Sequence, residues 1–327
     1  MTTSKTFKRA VSAFLMTGFA LSILTAQALT ISPARAELTG DPGETIQGSF
    51  TLVNPLDTDQ TYYTSVENFE AQGETGTPNF TVSKDGLPSW VKIVEKVILK
   101  KGERITVPYN VVIPTDADSG GHFGAIFLST VPPSAGEGQV SVGAKVGMLL
   151  FLKVTGTVKE QGGLSSFALK GGKKVLTSLP VDFLYKFKNE GNDRVKPEGE
   201  LTIKNMVGME VSTIDINKVK GDNVLPASTR RFEVRYGDVD APAVSAPFFD
   251  HVKFQKDHFA MGMYSANLKL AFGNAGTALS SLTFYIFPWQ LLIVVLGSVL
   301  VLVLLLISAV KHYNKWIIKQ ARAVAKK

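Results

Sequence analysis

The chain has 327 residues, 35 basic and 28 acidic, for a formal net charge of +7, and it contains no cysteine. Disulfides and thiol chemistry are excluded, so the folded part must hold together by burial, for which the length allows two domains. Every acidic residue lies between Glu37 and Asp257, whereas Lys5, Lys8 and Arg9 open the chain and Lys311, Lys315, Lys319, Arg322, Lys326 and Lys327 close it. The middle is therefore near neutral, without the basic face that a nucleic-acid partner requires.

Lys5, Lys8 and Arg9, the apolar run 10–24 and Ala26-Gln27-Ala28 have the plan of a secretory signal peptide over residues 1–28, cleaved after Ala28. Ala34-Arg35-Ala36 is a competing cleavage site, but it falls within the first expected strand. Residues 29–160 then read as short alternating runs over 29–38, 44–54, 61–69, 90–99, 104–113, 122–131, 139–143 and 145–154. Between them stand Asp41-Pro42-Gly43, Asn54-Pro55, Lys101-Gly102 and the Asp116 to Gly121 stretch, in which Gly permits positive φ, Pro fixes φ, and Asp or Asn caps the local backbone. Asn54 is placed to cap where its strand ends, and Trp90 to plug the space between sheets.

Gln161-Gly162-Gly163 and Gly171-Gly172 read as a separator, after which 161–287 has the same texture. Its expected strands are 180–188, 197–205, 210–219, 229–236, 251–255, 262–272 and 279–287. No apolar 3.6-residue periodicity lasts long enough in either half for a buried helix. The expectation is an all-β ectodomain of two tandem immunoglobulin-like β-sandwiches, 29–160 and 161–287. Residues 288–310 read as one transmembrane helix: the 22 residues from Trp289 to Val310 hold no charge and reach ~33 Å as a helix, enough for a ~30 Å hydrocarbon core. Positive charge beside the span places the tail, 311–327, in the cytoplasm and the larger part outside. A long cysteine-free exterior region favours a bacterial surface.

Ile31-Ser32-Pro33-Ala34, Pro42-Gly43-Glu44-Thr45, Phe50-Thr51-Leu52-Val53-Asn54-Pro55, Ser89-Trp90, Ile113-Pro114 and Gly121-His122-Phe123-Gly124-Ala125-Ile126 together resemble the N-terminal domain of WxL-interacting proteins. In the second half, Asn189-Glu190-Gly191-Asn192 and Lys196-Pro197-Glu198-Gly199 look like the sandwich beside the span in such proteins. The resemblance implies a bacterial cell-surface protein, anchored once in the plasma membrane, whose immunoglobulin-like domains bind peptidoglycan or another surface protein.

The residues suggest no reaction: there is no Cys nucleophile, His-Glu-x-x-His, Gly-x-Ser-x-Gly elbow or phosphate loop. Neither a cofactor nor a metal is expected. Asp250-His251 and Asp257-His258 recur at a seven-residue spacing, which on one strand puts them on opposite faces. Asp116-Ala117-Asp118 lacks the downstream Glu of an EF-hand. The binding candidates are His122 and Phe123, an aromatic pair flanked by glycines that would admit a sugar ring or another backbone, and Tyr62 with Tyr63, one of which must face outward. The expected function is non-enzymatic binding of peptidoglycan or an envelope protein. The alternatives are an envelope chaperone or accessory subunit of a membrane complex, whose open strand edges donate or accept strands, and a membrane-tethered metal-dependent lectin or hydrolase.

Overall fold

A computed structural model describes residues 29–83, 85–132, 145–274 and 276–324. The expected signal peptide and its cleavage site at Ala28, and the expected strand 139–143, lie outside the described residues. The chain divides into two compact units. The first holds the described residues up to Phe69, with Phe80–Asp118 and His122–Gly156; the second holds Glu70–Asn79, Ser119–Gly121 and everything from Thr157 onward.

The strands of the first sandwich are β1 (Thr30–Ser32), β2 (Arg35–Gly40), β3 (Thr45–Val53), β4 (Gln60–Gln72), β5 (Thr77–Thr81), β6 (Val91–Ile93), β7 (Lys96–Leu99), β8 (Arg104–Val112), β9 (Gly120–Ser129) and β10 (Lys145–Val154). They form one sheet of order β1-β3-β8-β6 and a second of order β2-β10-β9-β4-β5, with β7 also on β4. Period-two alternation sends Phe50 and Leu52 of β3 and Val107, Tyr109 and Val111 of β8 inward. They meet Ile126 and Leu128 of β9 and Met148, Leu150 and Leu152 of β10 from the facing sheet.

Two expected strands are each broken in two because they change sheets. The 29–38 run leaves β1 at Pro33, which has no N–H to give a ladder, and re-forms as β2, parallel to β10. The 90–99 run is split between β6 on β8 and β7 on β4. Before it, Leu87–Trp90 makes a single helical turn, α1, with Leu87 buried. β5 was not expected; its sequence, TPNFT, contains two residues depleted in strands.

The second sandwich consists of β11 (Gly162–Leu169), β12 (Val175–Leu176), β13 (Val181–Asn189), β14 (Glu198–Asn205), β15 (Glu210–Ile216), β16 (Thr229–Tyr236), β17 (Gly262–Phe272) and β18 (Gly276–Ile286). Its sheets have the orders β11-β13-β16 and β12-β18-β17-β14-β15. Phe183, Tyr185 and Phe187 of β13 pack against Leu201, Ile203, Ala266, Leu268 and Phe284 of the facing sheet. The supposed separator is thus the first strand, β11, whose pairing with β13 shifts register between Leu164 and Ser166. The expected strand 251–255 is instead part of a helix, α2 (Phe248–Asp257). A 36-residue helix, α3 (Trp289–Val324), ends the described chain, and its segment Trp289–Ile318 is long and apolar enough to cross a membrane.

Each sandwich buries one asparagine completely, in the same setting. Asn54, after β3, donates to the carbonyls of Thr58, Leu99 and Lys100 and accepts from Leu56 N–H; its own N–H donates to Glu103. Asn189, the last residue of β13, donates to the carbonyls of Asp193 and Val224 and accepts from Gly191 N–H; its N–H donates to Ser228. In both, the carboxamide reaches the carbonyl four residues on and the N–H two residues on. It satisfies a loop that buried backbone could not otherwise satisfy.

Candidate binding surface

The glycine-flanked aromatic pair begins β9, and both of its outer glycines are occupied from within the chain. A Cβ on Gly120 would sit 2.4 Å from the Asn192 carbonyl oxygen, and Gly121 N–H donates to that oxygen at 2.8 Å. A Cβ on Gly124 would press at 3.2 Å on both the Glu67 carbonyl and the Leu87 side chain. Gly120 thus makes room for Asn192, and Gly124 for Leu87 and the Glu67 carbonyl.

His122 and Phe123 face opposite ways and are both half-buried. The His122 ring lies 4.6 Å from the Trp90 ring, and its Nε2–H donates to the Asp118 carbonyl at 2.8 Å. Trp90 packs against the edge of the first core. Tyr62 is 2% exposed and belongs to that core, which removes it from any contact surface. Burial pushes its hydroxyl pKa upward. Tyr63 points to the opposite face, between Lys96 of β7 and Ser129 of β9, and is half-buried.

Phe123 instead belongs to a group of five phenylalanines on the outer face of the larger sheet. Its ring lies 5.9 Å from Phe69 and 5.7 Å from Phe151, Phe69 lies 6.0 Å from Phe80, and Phe80 stands edge-on to Phe127 at 4.8 Å. Phe69, Phe127 and Phe151 are nearly covered, whereas Phe80 is 37% exposed. Cations rim the group. Arg35 lies over Phe151, and Lys145 Nζ sits 3.9 Å above Phe127 while pairing at 2.6 Å with the mostly buried Glu67 carboxylate. The alternation of β9 carries the signal for this face: Phe123, Ala125 and Phe127 are apolar opposite Ile126 and Leu128, as in a strand covered on both sides. The contributions of Phe69, Phe80 and Phe151 depend on strand pairing and were missed.

Beside this floor lies a strand edge that is unpaired among the described residues. β2 pairs with β10 only from Leu149 to Val154. Leu149 N–H donates to the Ala34 carbonyl and Thr155 N–H to the Gly40 carbonyl, so odd-numbered residues of β10 direct their backbone groups toward β2. Carried back by the two-residue period, Lys145 and Gly147 present N–H and C=O on the same side, where no strand among the described residues pairs with them.

Asp250, His251 and Asp257 lie on α2, with the two carboxylates two turns or ~10.5 Å apart along its axis, and His258 follows its last residue. The His258 ring packs at a tilt on Phe254, 4.5 Å between centroids. Among the described residues no three His, Asp or Glu side chains converge on a metal-sized site.

No protein-family model matches the chain, and no curated protein does. Among solved structures it is similar to the class 5 fimbriae chaperone CfaA, at 11% identity and a TM-score of 0.39, covering 78% of this chain and 98% of that one. It is also similar to the Escherichia coli chaperone DraB, at 13% identity and a TM-score of 0.34 over 79% and 96% of the two chains. The CsuC-CsuE chaperone–tip adhesion subunit complex of Acinetobacter baumannii gives 14% identity and 0.34 over 63% and 89%.

Proposed function

We propose that the chain is a non-enzymatic, membrane-anchored envelope protein with two immunoglobulin-like sandwiches, and that its first sandwich takes up an extended segment of a partner protein along β10. This is the role of an envelope chaperone or accessory subunit, and it places a protein, more than peptidoglycan, at the binding surface. The observation that carries it is the open edge at Lys145 and Gly147 beside the phenylalanine floor. Main-chain hydrogen bonds to an open edge supply affinity, and alternate side chains of the added strand seat on the neighbouring face. The peptidoglycan expectation came from the family resemblance, and of its candidate contacts His122 and Phe123 have rings engaged by Trp90, Phe69 and Phe151. The WxL-interacting resemblance accords with a partner at the first sandwich. In this reading α3 spans the plasma membrane, with both sandwiches outside and the basic tail inside.

Two substitutions at one residue test the proposal in cells producing the full chain. Lys145→Ala removes the Glu67 pair but keeps the edge N–H; Lys145→Pro removes both. Co-purification of envelope proteins with each variant should show partners retained by Lys145→Ala and lost from Lys145→Pro. Equal retention by both, with both folded, would overturn strand addition at this edge.

A further inference from the structure

The end of the second sandwich from which α3 emerges is ringed by exposed apolar side chains. Only Phe287 and Pro288 separate β18 from α3, and two residues span at most ~7 Å. If α3 enters the membrane at Trp289, this end of the sheet lies at the membrane surface. Strand register shows what else is there. Gly262 at the start of β17 pairs with Ile286 at the end of β18, and Tyr264 pairs with Asn205 at the end of β14. The β14–β15 turn, with Met206, Val207 and Met209 all more than half exposed, is therefore level with the start of α3. On the outer face of the same rows Met263 pairs with Tyr285, and Met261 and Phe287 follow, all exposed.

Helix α2 completes the ring. The carboxamide of buried Gln255 donates to Gln290 Oε1 and accepts from Leu291 N–H, while Phe248 lies 6.1 Å from Trp289. Residues seven apart on α2 thus meet three consecutive residues of α3. A helix running alongside α3 would spread those contacts over about seven positions, so α2 crosses the first turn of α3. Its outward face carries Phe249, 72% exposed, with Lys253 and Lys256 near it and Asp250 and Asp257 further round. Lys173 and Lys174 precede the exposed Val175, which pairs with Tyr285.

We infer that this end of the sandwich is a membrane-seating collar. The Met206-Val207-Met209 turn, Phe249 and the Tyr285–Trp289 rim enter the boundary between headgroups and acyl chains of the leaflet on the sandwich side. Contiguous exposed apolar surface on a folded unit marks an interaction site. Aromatic rings, methionines and lysines that reach phosphates suit the bilayer interface. Continuity with α3 selects lipid as the occupant. The second sandwich then lies on the membrane instead of standing off it on a linker. The inference rests on α3 spanning a membrane, and the test separates the two.

Because the chain has no cysteine, each introduced one is a unique label site. The full chain, carrying an environment-sensitive fluorophore at Met206→Cys, Phe249→Cys, Val219→Cys or Leu300→Cys, is reconstituted into phosphatidylcholine–phosphatidylglycerol vesicles. Val219 is 97% exposed and follows the opposite end of β15, and Leu300 lies within α3. Labels at 206 and 249 should be blue-shifted, quenched by shallow nitroxide lipids, and several-fold less sensitive to aqueous iodide than the label at 219. The label at 300 should respond to deep nitroxides. Iodide access at 206 and 249 equal to that at 219, with 300 deep, overturns the collar while α3 remains a span. Protection of 206 and 249 from both iodide and lipid quenchers means protein covers them, and this also overturns it. Aqueous access at 300 removes the span, and the collar with it.

Discussion

In the first sandwich β2 runs parallel to β10 over six residue pairs; in the second, β12 runs parallel to β18 over two. Both sandwiches thus begin with a strand that changes sheets and ends against the last strand, and on that side part of the last strand has no pairing partner among the described residues. The edge of β18 from Gly276 to Phe284 has no partner among the described residues and is longer than the open part of β10. The difference lies beside the edges. Next to β10 is a phenylalanine floor, whereas next to β18 a shallow depression of about 500 Å³ is lined by Glu200, Thr202, Lys204, Asn267 and Lys269 with the exposed Leu279, and holds no aromatic ring. An unpaired edge comes with the strand plan; what differs between the two is the phenylalanine floor beside β10, on which the proposed strand addition depends.

The likeness is tested most severely at the buried asparagines. Asn54→Ala and Asn189→Ala each leave buried backbone groups unsatisfied, and each should cost ~2–4 kcal/mol in its own sandwich, read by calorimetry and urea unfolding. A loss below ~1 kcal/mol in one, with the full loss in the other, would show that only one sandwich depends on this plug. Phe123→Ala should cost about 2 kcal/mol, less than the ~3–5 kcal/mol of a fully buried Phe, because Phe69 and Phe151 support only part of the ring. A thermal melt of that variant decides whether the floor is structural.

The difference between the edges is tested by charge. Phe80→Asp should weaken partner capture about tenfold, equivalent to ~1.4 kcal/mol, whereas Leu279→Asp beside the β18 edge should leave it unchanged. The reverse result would move the binding edge to the second sandwich. The smallest effect concerns alkaline pH. Burial raises the pKa of Tyr62 and Tyr109 in the first sandwich and of Tyr185 and Tyr236 in the second, most for Tyr185, where Asp222 adds to burial and Arg230 opposes it. Unfolded tyrosine ionises near ~10 while the folded groups stay protonated, so this stability is intact below that pH and declines above it. Unfolding followed across that range should show the second sandwich weakening first.

Alternation made most strands legible, because β3, β8, β14 and β17 each keep one clean inward face. It cannot say which sheet a strand joins, so the passages through Pro33 and through Val94-Glu95 read as continuous. In β11 the register shift between Leu164 and Ser166 breaks the two-residue period, and the flanking glycines completed the appearance of a linker. Helix α2 has no long apolar stripe because its buried contact is a crossing with α3, centred on polar Gln255. At the site, the asparagine after β3 was legible as a cap from the residues alone. The convergence of Phe69, Phe80 and Phe151 was not, since they come from three strands whose neighbours only tertiary pairing determines.

The direct passage from β18 into α3 has a mechanical consequence. Tension from the membrane enters the second sandwich at Ile286, the end of β18. That end is held on one side by the Gly262–Ile286 and Met263–Tyr285 pairs with β17, and on the other by the Tyr285 and Phe287 N–H bonds to the Lys174 and Leu176 carbonyls. A pull along α3 therefore loads these bonds first, and forced detachment of β18 starts at this patch.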